Sequence, residues 1–61
     1  MNQYAIIYRL WYKKVELGVC VYYIEKRTPQ EAVENFKGQQ TNPDFTWRIE
    51  AVTQVLEGDW K

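Results

Sequence analysis

The chain has no histidine and one cysteine, Cys20. These two absences exclude a good deal of chemistry. A structural zinc site draws about four ligands, mostly from Cys and His, so zinc is not expected. A Cys–His catalytic pair is impossible, and no disulfide can form within one chain. Cys20 lies among Val19, Val21, Tyr22 and Tyr23, without the base or positive field that activates a thiol. It is expected to be an inert, buried thiol. Glycine is also scarce. Gly18, Gly38 and Gly58 stand alone, so no glycine-rich phosphate loop is present. The carboxylates form no calcium-loop pattern. No enzyme is expected, and no cofactor or metal.

Long hydrophobic runs are missing too. The longest uncharged apolar stretch, Leu17 to Ile24, falls far short of the roughly 20 residues a membrane span needs. The opening Met1-Asn2-Gln3 lacks the positive region of a secretory signal. A lone cysteine fits a reducing compartment, and a cytoplasmic protein is expected. Charge of one sign is absent overall, with eight basic and eight acidic residues. The balance conceals an asymmetry. Residues 1–30 carry Arg9, Lys13, Lys14, Lys26 and Arg27 against Glu16 and Glu25, whereas residues 31–61 are net acidic.

What the chain has in quantity is aromatic side chains: five Tyr, three Trp and two Phe in 61 residues. Most fall in two stretches, 3–12 and 19–26, rich in Tyr, Ile, Val and Trp and lacking a helical stripe. Both read as strands, joined by a hairpin through 13–18 that has no Asn-Gly or Asp-Gly pair to fix its turn. Gly18 is suited to a positive φ at a bulge. Thr28-Pro29-Gln30-Glu31 is a helix start: an N-cap hydroxyl, a proline at the first helical position and a capping-box glutamate. Pro29, Ala32, Val33 and Phe36 follow at the spacing of one helix face, and Gly38 is a natural residue just past the end. Asn42-Pro43 marks a turn. Phe45, Trp47, Ile49 and Ala51 then alternate with Thr46, Arg48 and Glu50 as a third strand. Val52, Val55 and Leu56 extend it past an irregularity or begin a short helical turn.

The expected fold is one small α+β domain over 1–61. Its order is ββαβ, with a three-stranded antiparallel sheet ordered 2-1-3 and one helix packed on one face. This order, with Thr28–Ala32 opening the helix and a strand ending at Ile49-Glu50-Ala51-Val52, resembles that of many short ββαβ proteins. Some of those belong to ribosomes and many to phages and mobile elements. The likeness carries no functional residue with it.

A nine-residue helix cannot cover two strands that are apolar on both sides. Large exposed apolar patches mark contact sites, so the uncovered face is expected to bind. The leading expectation is a non-enzymatic protein-interaction module, either a homodimer or a small inhibitor or adaptor of a larger protein. A phage or mobile-element accessory protein would fit. The candidate partner-binding residues are Tyr8, Trp11, Tyr22, Tyr23 and Trp60, with the face left open between Tyr8/Tyr22 and Trp11/Tyr23. The alternative is nucleic acid, stacked on sheet aromatics and held by Arg9, Lys13, Lys14, Lys26 and Arg27.

Overall fold

Alternating β-branched and aromatic residues make three long strands. A computed structural model describes residues 1–56. It contains β1 (Asn2–Tyr12), β2 (Val15–Lys26), α1 (Pro29–Gln39) and β3 (Phe45–Val55). The strands form an antiparallel sheet in the order β2-β1-β3. The ββαβ arrangement, with β1 central, is the one the sequence predicts. Among the described residues, no helix is long and apolar enough to cross a membrane.

The β1–β2 connection is tighter than expected. β2 begins at Val15 rather than 19, and Tyr12 pairs directly with Val15. The turn is Lys13-Lys14 alone, with φ of 48° and 71°. Positive φ at both central positions defines the turn type whose twist matches a hairpin. Lysine gives no sequence signal for that geometry. The Lys13 amide donates to the Asp44 carbonyl at 2.9 Å, which ties the turn to the loop preceding β3. The expected bulge is present: Leu10 pairs with Gly18 and Trp11 with Glu16, so Leu17 is the extra residue. Gly18 takes a φ of 116° there.

The helix start follows the sequence. Thr28 Oγ1 accepts from the Glu31 amide at 3.2 Å, and Pro29 opens the first turn. The end differs, because Gly38 lies inside α1 and Gln40 caps it. Side chains hold the added residues. Gln39 donates to Asn35 Oδ1 at 3.2 Å and accepts from the Tyr22 hydroxyl at 2.7 Å.

The core lies between α1 and one sheet face. Ala32, Phe36 and Ile6 are fully buried and Tyr4 nearly so, with Tyr8, Tyr22, Ile24, Trp47, Ile49 and Val52 packed around them. The Phe36 ring is the centre of an aromatic cluster. Its centroid lies 4.7 Å from Tyr8, 5.6 Å from Tyr22 and 5.1 Å from Trp47, the last edge-on. These are the tilted and edge-to-face geometries that aromatic quadrupoles favour.

β3 does not keep one alternation. Ile7 pairs with Ala51 and Tyr8 with Ile49, which leaves Glu50 as an extra residue. Beyond this bulge Val52 points to the core, opposite Ile6. Ala51 therefore leaves the face shared by Phe45, Trp47 and Ile49 and joins the opposite one. The expected irregularity sits at Glu50, and the strand continues through it to Val55.

Candidate functional site

Strand length and helix length together create the site. Eleven helical residues span about 16 Å, whereas twelve strand residues span about 40 Å. α1 packs on one face, and nothing among the described residues covers the other. An antiparallel sheet tolerates one solvated face when that face is polar. Here much of it is not.

Pairing arranges the open face in transverse rows. From the free end of the sheet toward the hairpin turn they run Glu25–Gln3–Val55, Tyr23–Ala5–Thr53, Val21–Ile7–Ala51, Val19–Arg9–Arg48 and Glu16–Trp11–Thr46, each read from β2 across β1 to β3. The β2 side is bulky and apolar. Val19, Val21 and Tyr23 are 53%, 48% and 61% exposed. The β3 side carries short or polar groups. A shallow open depression lies between them, lined by Ala5, Ile7, Val21, Tyr23, Thr53 and Val55. Ala5 is buried at its floor although no helix covers it, because its neighbours stand taller than its methyl group.

A charge-paired group lies toward the turn. Arg9 donates through Nε to Glu50 Oε1 and through Nη1 to Glu16 Oε2, both at 2.9 Å. Arg48 Nη2 donates to the same Glu50 oxygen at 3.1 Å, and its guanidinium carbon lies 5.8 Å from the centre of the Trp11 ring. The Glu50 bulge turns that carboxylate toward both arginines. The hydrogen bonds from Arg9 and Arg48 hold the Glu50 carboxyl below the usual glutamate range, and the bond to Glu50, with the charge of Glu16, raises the already high Arg9 value. Two positive and two negative groups cancel within this cluster.

The structure distributes the sequence-predicted residues unequally. Trp11 and Tyr23 lie on the open face, whereas Tyr8 and Tyr22 pack beneath α1 against Phe36. Burial pushes the Tyr8 phenol above the ordinary tyrosine value, with the Cys20 thiol beside it adding to the shift. Trp60 lies outside the described residues. The five basic residues do not converge. Lys13 and Lys14 form the turn, Lys26 pairs with Asn2 at the far end of the sheet with Arg27 next to it, and Arg9 is committed to two carboxylates. Of the residues on this surface, Ala51 is the one that simple strand alternation assigns to the opposite face. The apolar spacing of three between Ile49 and Val52 is the signal that marks the β3 bulge and so the face of Ala51. Among the described residues, no cluster of three His, Cys, Asp or Glu side chains is placed to hold a metal ion.

The chain matches no protein-family model, and no significant similarity to a curated protein or a solved structure was found.

Proposed function

We propose that the protein is a non-enzymatic interaction module that binds a protein through the open sheet face. The observation that carries this reading is the β2 stripe. Val19, Val21 and Tyr23 share one face, each about half or more exposed, beside Ile7 and Ala5. Hiding such side chains from water releases about 25 cal/mol per Å² of apolar surface. The chain extends 38 × 24 × 13 Å, so its broad side is on the scale of a specific interface that buries about 800 Å² per partner. A homodimer and an inhibitor or adaptor of a larger protein both use such a surface. The separation of Lys13 and Lys14 from Lys26 and Arg27 favours a protein over a nucleic acid, whose backbone needs a continuous basic track.

Site-specific photo-crosslinking in cells that express the chain tests the reading. A photoreactive amino acid in place of Tyr23 should give protein adducts, and the same group in place of Gln30 on the exposed side of α1 should not. Adducts with nucleic acid alone, or equal adducts from both positions, would contradict it.

A further inference from the structure

Taking the open face as a protein contact surface, a step that rests on the reading above, we propose that its occupant is a second copy of this chain. The two sheets stack face to face about a two-fold axis that runs along β1. The relief of the face selects this partner. A two-fold contact must be complementary to itself. The β2 side is tall, with Val19, Val21 and Tyr23, and the β3 side is low, with Ala51 and Thr53. A two-fold axis along the strands places β2 of one copy over β3 of the other, so tall residues meet low ones. Val21 then lies over Ala51 of the second copy and Tyr23 over Thr53. Each Tyr23 side chain enters the depression beside Ala5 of the other copy, while Ile7 meets Ile7 on the axis. Facing layers of large and small residues interdigitate in this way.

The other two-fold stacking, with the axis across the strands, puts β2 on β2 and β3 on β3. Tyr23 would then collide with Val21, and a gap would open between the two Thr53–Ala51 edges. Charge permits the proposed stacking as well. The arginines that approach each other, Arg9 and Arg48 of the two copies, are already neutralised by Glu16 and Glu50 at 2.9–3.1 Å. Glu16 is about half exposed and Arg48 more so, and the stacking brings the free side of each near the other copy's opposite charge. Trp11, like Ile7, lies near the axis, and aligned sheets cross at about 30°, which carries the two Trp11 side chains and the charged ends apart and concentrates contact on the Tyr23–Ala5–Thr53 and Val21–Ile7–Ala51 rows.

Cysteine cross-linking reads the arrangement directly. In a Cys20→Ser background, Val21→Cys and Ala51→Cys chains are made separately, checked for fold by circular dichroism, and treated with a bis-maleimide that spans about 10 Å, the spacing of stacked sheets. An equimolar mixture should give several-fold more cross-linked dimer than either chain alone. Preferential cross-linking of the Val21→Cys chain to itself would overturn the arrangement. Folded chains that give no cross-linked dimer in any combination would overturn self-association altogether. In that case Tyr23 photo-adducts with a different protein would leave the interaction reading intact, and their absence would remove it too.

Discussion

Phe36 is the residue on which the packed half of the molecule depends. It is fully buried and touches rings from all three strands, Tyr8, Tyr22 and Trp47. Phe36→Ala should destabilise the fold by about 3–5 kcal/mol, the range for an aromatic replaced by a cavity. Thr28→Ala removes a single cap bond and should cost about 0.5–2 kcal/mol. Urea melts of the two variants would rank them, and a larger loss at Thr28 would contradict the core described above. Glu50 makes a separate, pH-dependent contribution. Its folded-state carboxyl is held below the usual glutamate range by Arg9 and Arg48. The stabilisation is therefore complete above that range and disappears as the pH falls through the lowered value. Glu50→Gln should be less stable than the parent at about pH 7, and the difference should shrink toward zero at about pH 2. Its exposed position keeps the effect small.

At the scale of elements, the turn and the two described glycines are where local preference and fold disagree or agree. Lys14 holds a φ of 71°, a region that costs an ordinary residue about 1–2 kcal/mol and that glycine enters freely. Lys14→Gly should raise stability by about 1 kcal/mol. Gly18 and Gly38 should respond to alanine in opposite directions, although an added Cβ meets nothing within 4 Å at either site. Gly18 has a φ of 116°, and its alanine variant should lose more than about 1 kcal/mol. Gly38 lies within α1, where alanine should gain up to about 1 kcal/mol. Thermal melts of the three variants would show these signs.

These same elements show what the sequence discloses. Thr28-Pro29 announces the helix because capping is a local event, and strand order follows from element order. The Lys13-Lys14 turn is invisible because lysine has no preference for positive φ, and tertiary pairing imposes it. The helix runs past Gly38 because Gln39, which accepts from the Tyr22 hydroxyl and donates to Asn35, outweighs a local stop signal. The open face was legible only as a surplus of apolar residues. Assigning it to Trp11 and Tyr23 rather than Tyr8 and Tyr22 requires knowing where Phe36 lands.

At the scale of the whole molecule, one helix covers one sheet face, and nothing among the described residues covers the other, with its tall β2 stripe, low β3 side and self-neutralised charges. A core this small supplies only about 3–5 kcal/mol, and stacking two copies would add the apolar burial that a lone chain lacks. The Val21→Asp variant isolates that contribution, since Val21 lies on the open face, away from Phe36. Sedimentation equilibrium of the parent and of Val21→Asp, from micromolar to hundreds of micromolar, is the most direct test. The account predicts twice the mass of one chain for the parent at the upper concentrations and a folded monomer for Val21→Asp. A well-folded parent that remains monomeric throughout, or a Val21→Asp chain that dimerises as tightly as the parent, would contradict it.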